Sequence, residues 1–227
     1  MNRYQIFIEY EGTRFKGWQI QKKGMTVQGL IQEKLSRLLK QKITLIGSGR
    51  TDAGVHAIEQ SAHFECKNKI SDTLKFLKSI NFFLNDQDIV ITKIKKRTSK
   101  FHARFSAKKR IYKYVIFNRI SSSVIEKKAW HVRKKLDIEL IKKGAKKLIG
   151  TKDFSTFRAA SCNAKTPIRT IDVIKIKNSK NRLEIEFKSQ SFLQQQVRSM
   201  VGCLKYLGEK KWNLKKFDEV VKSKKRA

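Results

Sequence analysis

The sequence contains few prolines, cysteines and acidic residues. Its 227 residues include one proline, three cysteines and 19 Asp and Glu side chains. Cys66, Cys162 and Cys203 are odd in number and lie far apart without a CxxC spacing, so neither a disulfide framework nor a zinc ribbon is indicated. Unpaired thiols of this kind are typical of the reducing cytoplasm, and we expect a cytoplasmic protein.

Long apolar runs are also missing. No stretch approaches the roughly 20 apolar residues that a membrane-spanning helix needs, so we expect no membrane-spanning segment. Residues 1–10 alternate apolar and polar side chains as a strand does, without the continuous apolar core of a signal peptide. Hydrophobic residues nevertheless make up 40% of the chain and include 14 Phe. That content fills a substantial core, which excludes a disordered basic tail.

Basic residues are abundant. The chain carries 53 Lys and Arg, and its formal net charge is +34. So large an excess of one sign opposes compaction of the chain and is typical of a protein with a negatively charged partner. Nucleic acid is the first candidate and an anionic membrane surface the second, while a compositional bias toward Lys accounts for part of the excess.

The first half of the chain has the periodicity of strand, helix, strand, strand, helix and strand. This order is that of the split βαβ, or ferredoxin-like, fold. The strands are predicted at 3–10, 42–47, 60–66 and 88–95, one helix follows the N-cap Thr26, and the other covers 72–80 behind Asp72.

The second half repeats this order with different residues. Strands are predicted at 110–118, 169–177 and 182–189, one helix follows Asp137, and an amphipathic helix runs through Phe192 to Leu207. A final strand should come next, but the amphipathic segment 213–222 takes its place. We therefore expect the last strand of the repeat to be missing from this chain.

The fold class predicted from this pattern is α+β. We expect two tandem ferredoxin-like, RRM-like halves, residues 1–105 and 106–227, whose antiparallel sheets are joined around a central cleft. No Gly/Ser-rich linker separates the halves, which indicates a packed boundary near residue 105. Clefts between such halves are favoured places for binding and catalytic sites.

The segment 47–56 is the densest cluster of unusual residues, with three glycines around Ser, Arg, Thr and Asp side chains. One interpretation is a glycine turn in which Asp52 accepts local backbone hydrogen bonds and pairs with Arg50. The other is a carboxylate on a rigid loop, which positive neighbours keep ionised as a nucleophile. The neighbouring residues alone do not separate the two interpretations.

The sequence GSGRTDAGVHA at 47–57 resembles the signature of the TruA family of tRNA pseudouridine synthases. Other blocks that resemble the family lie on both sides of this motif, in the same order as in the family, from residue 10 to about residue 208. So many ordered matches do not arise by chance. They are YEG at 10–12, FKGWQ at 15–19, TVQ at 26–28, FHAR at 101–104, RIYKY at 110–114, DFSTFR at 153–158, PIRTI at 167–171, SFL at 191–193, VR at 197–198 and MVG at 200–202.

The resemblance implies that the protein isomerises uridine to pseudouridine at positions 38 to 40 in the anticodon stem-loop of tRNAs. In this reaction the bond between uracil and ribose is broken, the base turns, and it is rejoined through C5. The resemblance also implies a homodimer, tRNA as the partner, no membrane partner and no cofactor. The rival interpretation is a non-catalytic basic RNA-binding protein, because ferredoxin-like sheets often bind single-stranded RNA.

The resemblance also assigns roles to four residues. Asp52 matches the catalytic aspartate, which either attacks the ribose C1′ or assists loss of the 2′ proton. Arg198 matches the arginine that pairs with this carboxylate, and Tyr112 the tyrosine that stacks on the target base and helps to transfer the C5 proton. Arg50 binds a phosphate or steers the nucleotide. Structural roles remain open: core packing for Tyr112, a surface position for Arg198 and a loop contact for Arg50.

Two further expectations concern metal and RNA. The four histidines have no HxxH or cysteine-partner spacing, so we expect no metal site. Lys-rich segments are candidates for contact with the RNA backbone, although each of them also fits a solvated face. These segments are 93–100, 108–113, 133–135 and 142–147.

Overall fold

The protein folds into two compact units, each with its own hydrophobic core. A computed structural model describes residues 1–225, and its contacts divide the chain into unit 1, residues 1–107, and unit 2, residues 108–227. Each unit contains one sheet covered by helices, so the predicted α+β class is confirmed. Within residues 1–225, no helix has the length and apolar content needed to cross a bilayer.

Unit 1 contains an antiparallel sheet with the strand order β2-β3-β1-β4. Alternate side chains of its first strand, from Tyr4 to Tyr10, are buried, and together with the apolar stripes of two helices they form the core. The elements are β1 (Asn2–Tyr10), α1 (Val27–Leu39), β2 (Ile46–Gly47), β3 (Ala57–Cys66), α2 (Thr73–Leu84) and β4 (Ile89–Arg97).

Both predicted helix N-caps of unit 1 are confirmed. The Thr26 hydroxyl accepts the Gly29 N–H at 3.3 Å, and the Asp72 carboxylate accepts the Lys75 N–H at 2.8 Å. Each side chain thereby satisfies one of the backbone donors that a helix leaves unpaired at its start. Helix α2 ends at Leu84, four residues beyond its predicted end.

The predicted strand at 42–47 is wrong for residues 42–45. Leu45 is buried, but its N–H donates to Gln32 Oε1 at 3.1 Å and its carbonyl accepts from Gln28 Nε2 at 2.7 Å. Two side chains of α1 therefore satisfy the backbone groups that a neighbouring strand would otherwise satisfy. The alternating burial at 43 and 45 is real, but pairing with β3 begins only at Ile46.

The face of this sheet opposite the helices is cationic along its outer strand. In the register of β4 against β1, Lys93 lies opposite Phe7, Lys95 opposite Gln5, and Arg97 opposite Arg3. Lys95 Nζ lies 5.9 Å from the centre of the Phe7 ring, and Arg97 Nε donates to Gln5 Oε1 at 2.8 Å. We call this face the sheet 1 open face, and it consists of Arg3, Gln5, Phe7, Lys93, Lys95 and Arg97.

The segment 99–105 is fastened across one end of the sheet 1 open face. Arg3 donates hydrogen bonds to the carbonyls of Ser99 and Phe101. The Ala103 N–H donates to Nδ1 of buried His63 at 3.1 Å. That nitrogen accepts the bond only when it is unprotonated. Burial, followed by the nearby His102 and Arg3, lowers the pKa of His63 to about 4.

Unit 2 contains a five-stranded sheet with the order β6-β5-β9-β8-β7. All strand pairs are antiparallel except β5 with the short β6, which is parallel and departs from the expected all-antiparallel sheet. The elements are β5 (Arg110–Asn118), β6 (Trp130–Val132), α3 (Ile138–Leu148), β7 (Gly150–Asp153), a 3₁₀ turn (Ser155–Phe157), β8 (Ile168–Ser179), β9 (Arg182–Ser189), α4 (Gln196–Gly208) and α5 (Leu214–Lys222).

Helix α4 begins at Gln196, four residues later than predicted. Gln195 has a left-handed backbone with φ of 60°, and the Leu193 N–H donates to Gln196 Oε1 at 2.8 Å. Leu193 is buried, but it lies in the loop before the helix. The apolar pattern therefore begins before the helix does, because the loop in front of α4 also packs into the core. After α4, the segment predicted to replace the last strand is helix α5.

The two faces of the unit 2 sheet differ in chemistry. Tyr112 lies opposite Phe187, and Tyr114 lies opposite Ile185; both partners are fully buried, so the two tyrosines lie on the core side. On the other face, Glu186 of β9 lies between Lys113 and Lys175, and Glu184 lies opposite Lys177. Opposite charges alternate across that face, and we call these five residues the sheet 2 outer face.

The His63 hydrogen bond makes the stability of unit 1 pH-dependent. Because the folded-state pKa of about 4 lies below the ordinary value of 6.5, the unfolded chain binds the proton more readily. The stabilisation is complete above pH 6.5 and is lost as the pH falls toward 4. We expect the free energy of unfolding of the wild type to fall relative to that of His63→Gln over this window, as measured by denaturant titration.

The His63→Gln variant is the control for the carboxylates that titrate in the same window. Its amide oxygen is an acceptor for Ala103 at every pH in the window. A stability difference between the two proteins that stays constant from pH 7 to pH 4 would show that His63 is not the titrating group.

Candidate active site

Asp52 lies in the segment between β2 and β3, residues 48–56, which we call the Asp52 loop. The loop is bonded to unit 1 at both ends. At its start, the Ser48 N–H donates to the Ser61 carbonyl at 2.7 Å. At its end, Nδ1 of His56 accepts the Gly12 N–H at 2.9 Å, so this ring nitrogen presents a lone pair to the backbone after β1.

The backbone on both sides of Asp52 is held in place. Before it, the Thr51 carbonyl accepts the Trp18 N–H at 3.1 Å, and Thr51 Oγ1 lies 2.9 Å from Tyr10 Oη. After it, the Asp52 carbonyl accepts the Val55 N–H at 3.2 Å, which closes a turn. The position of the Asp52 Cα is therefore fixed by groups of the unit 1 core.

Two glycines outside the loop allow its backbone to approach this closely. A Cβ atom on Gly12 would lie 2.0 Å from the Val55 carbonyl oxygen, and one on Gly17 would lie 2.6 Å from the Thr51 carbonyl oxygen. Gly17 also has a φ of +96°, a conformation that other residues rarely adopt. The glycines of YEG and FKGW are thus a steric requirement of the Asp52 loop.

The Asp52 side chain itself is half-buried and keeps its acceptor capacity. Within residues 1–107, no hydrogen bond or ion pair engages its carboxylate, and the pairing with Arg50 that the turn interpretation requires is not formed. Arg50 is exposed in the same loop. The loop therefore has a bonded backbone and a carboxylate that is available to a ligand.

The other two predicted site residues lie in unit 2. Tyr112, on β5, is half-buried, and its ring packs edge to face against Phe192 with the ring centres 5.1 Å apart. This contact fixes the plane of the tyrosine ring from the loop before α4. An aromatic ring held in one orientation is suited to stacking against a flat base.

Arg198 lies in the first turn of α4 with its side chain exposed. Within residues 108–225, no carboxylate pairs with it. Burial raises the pKa of Tyr114, and the positive charge of Arg198 acts in the opposite direction and lowers it. A cation at a helix N-terminus faces the positive end of the helix dipole, so this position favours an anion from outside the helix.

Among residues 1–225, no group of three His, Cys, Asp or Glu side chains is arranged to hold a metal ion. The three cysteines are free thiols. Cys203 is buried in the unit 2 core, and burial raises its pKa to about 11. That thiol is neutral at physiological pH and contributes packing to the core.

The chain matches the family model described as tRNA pseudouridine synthase over residues 6–106 and 145–227. It belongs to this family. It is 68% identical over all 227 residues to tRNA pseudouridine synthase A of Pelagibacter ubique, covering 92% of that protein. It is also 41% identical over 94% of its length to the enzyme of the same name from Paramagnetospirillum magneticum, covering 83% of it. The one from Parvibaculum lavamentivorans is 38% identical over the full chain, 92% of its own length.

Family membership adds meaning to residues that the sequence analysis did not single out. Tyr10, Gly12, Gly17 and Trp18 lie in the matched motifs near the amino terminus, and all four contact the Asp52 loop. Nothing in their residue types indicates chemistry. The sequence signal for them is that YEG and FKGWQ, which carry no catalytic residue type, belong to the same family pattern as the motif that carries Asp52.

The Gly17 contact can be tested against a matched glycine. Gly17→Ala forces a side chain into the Thr51 carbonyl oxygen, so we expect it to displace Asp52 and lower the rate of uridine isomerisation in tRNA by about 10-fold or more. Gly150→Ala is the control: Gly150 has a similar φ of +98°, but its nearest neighbour, Lys152 Nζ, lies 4.0 Å away. Both variants carry the left-handed strain of roughly 1–2 kcal/mol. Equal activities at equal folded fraction would contradict the steric role of Gly17.

Proposed function

We propose that this protein isomerises uridine to pseudouridine at positions 38 to 40 in the anticodon stem-loop of tRNA, with Asp52 as the catalytic residue. The observation that carries the proposal is the Asp52 carboxylate, which no group of unit 1 engages although the backbone around it is bonded on both sides. Membership of the tRNA pseudouridine synthase family supplies the reaction that such a carboxylate serves.

The substrate and the product of the proposed reaction contain the same atoms. The bond between uracil N1 and ribose C1′ breaks, the uracil turns, and a bond forms between C5 and C1′, after which the C5 proton is lost and N1 is left protonated. Asp52 either attacks C1′ or takes up the 2′ proton. Nothing is oxidised or reduced, so the balance requires no cofactor.

Arg198, Tyr112 and Arg50 complete the proposed site. Arg198 stabilises the ionised Asp52 carboxylate, which either role of Asp52 requires. Tyr112 stacks on the target uracil and helps to transfer the C5 proton, and Arg50 contacts a phosphate or steers the nucleotide. These roles require the units to act as tandem halves, with a cleft that brings Arg198 and Tyr112 to Asp52. We further propose a cytoplasmic homodimer.

A uracil within a stem hides its glycosidic bond, so the nucleotide has to leave the base stack before Asp52 reaches it. Phosphate contacts then have to hold the RNA in register while one base is handled. The high Lys content suits this task, because a lysine ammonium is a flexible point charge that binds phosphate without reading sequence.

The rival function, RNA binding without chemistry, is less well supported. Ferredoxin-like RNA binders stack bases on aromatic side chains exposed on the sheet. Here the sheet 2 outer face carries alternating Lys and Glu. The five residues of the sheet 2 outer face therefore include no aromatic ring on which a base of single-stranded RNA could stack.

The assignment of Asp52 is tested by Asp52→Asn, with release of tritium from C5-labelled uridine in tRNA as the readout. We expect release to fall to background because the amide neither attacks C1′ nor takes up a proton, while tRNA affinity stays within a few-fold since the lost charge repelled phosphate. Asp86→Asn removes the same charge from an exposed turn of unit 1 and should behave as wild type. Wild-type release by Asp52→Asn would remove Asp52 from the mechanism.

The RNA contacts are tested by the salt dependence of tRNA affinity. Removing Lys93 and Lys95 together, each as Lys→Gln, takes two charges from the sheet 1 open face. We expect the slope of log affinity against log salt to become shallower by about 1–2, given roughly 0.9 per phosphate contact.

The matched control removes Lys175 and Lys177 from the sheet 2 outer face, where each lies opposite a glutamate. We expect the slope of this variant to match the wild type. An unchanged slope in the Lys93 and Lys95 variant would show that the sheet 1 open face does not contact phosphate.

A further inference from the structure

We propose that Tyr10 is a positioning residue of the reaction: its phenol acts through Thr51 to hold the Asp52 carboxylate where the ribose must meet it. The inference rests on the proposed function, because it assigns Tyr10 a part in the use of Asp52. Tyr10 is a core residue at the end of β1, and the Asp52 loop leads into β3, the strand that pairs with β1.

The hydroxyl of Tyr10 reaches the Asp52 loop from inside the core. Tyr10 is the last residue of β1, and its side chain is 3% exposed. Its Oη lies 2.9 Å from Oγ1 of Thr51, the residue immediately before Asp52. A hydrogen bond between two largely buried hydroxyls is costly to remove from one side, because the remaining group loses its partner.

A second contact holds the same residue from another direction. The Thr51 carbonyl accepts the Trp18 N–H at 3.1 Å, and the Trp18 ring packs against the Tyr10 ring with centres 6.1 Å apart. Thr51 is therefore held through both its backbone and its side chain by two residues that also touch each other. Consecutive Cα atoms are about 3.8 Å apart, so a shift of Thr51 is passed directly to Asp52.

The rings and the hydroxyl make separate contributions. Phe in place of Tyr10 keeps the packing against Trp18 and the burial in the core, and removes the hydroxyl that bonds to Thr51. Core packing alone would therefore be satisfied by Phe at this position. The hydroxyl is the part of Tyr10 whose contact bears on the Asp52 loop.

Loss of this bond should act on the chemical step more than on binding. A catalytic group misplaced by about 1 Å costs on the order of 100-fold in rate, whereas phosphate contacts elsewhere on the protein are untouched. Tyr10→Phe should therefore lower kcat by about 10- to 100-fold and leave KM within a few-fold, the pattern of an interaction that serves the transition state.

Tyr4 is a matched control in the same strand. It lies on the same core face of β1, is fully buried, and its Oη accepts the Ile70 N–H at 2.8 Å, away from the Asp52 loop. Tyr4→Phe removes an equivalent buried hydroxyl and should lower the melting temperature while leaving kcat at the wild-type value. Both variants are compared by tritium release from C5-labelled tRNA, below the melting temperature of each.

A double-mutant cycle with Thr51 isolates the bond. Thr51→Val removes the second hydroxyl of the bond, so Tyr10→Phe in that background should have little further effect on kcat. Thr51→Ser keeps the hydroxyl and should retain most of the rate. The proposal is overturned if Tyr10→Phe retains wild-type kcat, if Tyr4→Phe loses as much rate, or if Tyr10→Phe and Thr51→Val act additively.

The positioning role of Tyr10 and the proposed function of the protein would fail in different ways. If the wild type and Tyr4→Phe release tritium at the same rate as Tyr10→Phe, the positioning role alone is wrong. If the wild type releases no tritium from tRNA, the proposed function fails and the role of Tyr10 fails with it.

Discussion

The carbonyl oxygen of Thr51 lies so close to the backbone of Gly17 that no side chain fits between them, and the position of the Asp52 loop depends on this approach. The end of β1 and the turn directly after it are distant in sequence from the Asp52 loop, and both are hydrogen-bonded to that loop. Because the bonds involve backbone groups and buried side chains, the position of Asp52 is as stable as the core that supports it. A carboxylate on a longer, solvated loop would lose this precision.

The large positive charge is distributed unevenly over the two sheets. Carboxylates of β9 alternate with lysines on the sheet 2 outer face, so much of the charge there is compensated. The lysines of β4 on the sheet 1 open face instead lie opposite Phe7 and Gln5. With only 19 acidic residues in the chain, the placement of each carboxylate decides which surface retains a positive potential. Net charge alone says nothing about this distribution.

Sequence patterns located the elements better than their boundaries. Thr26, Asp72 and Asp137 each precede a predicted helix, because a capping oxygen followed by an apolar stripe has a local cause, and all three accept a backbone N–H in the structure. The patterns failed where tertiary contacts replaced local ones. Leu45 bonds to side chains of α1 instead of a strand, and Leu193 is buried in a loop that periodicity had assigned to α4.

By itself the sequence determined the α+β class, the capped helices and, through its ordered motifs, the family and the candidate catalytic carboxylate. These follow from local periodicity and from residue types that recur in fixed order. Only the tertiary structure decided that the Asp52 carboxylate is unengaged within unit 1, that Tyr10 and Trp18 hold Thr51, and that Tyr112 lies on the core side of its sheet. The physical reason is that such contacts join residues some 30 to 75 positions apart, and their geometry depends on the packing between elements and not on any local pattern.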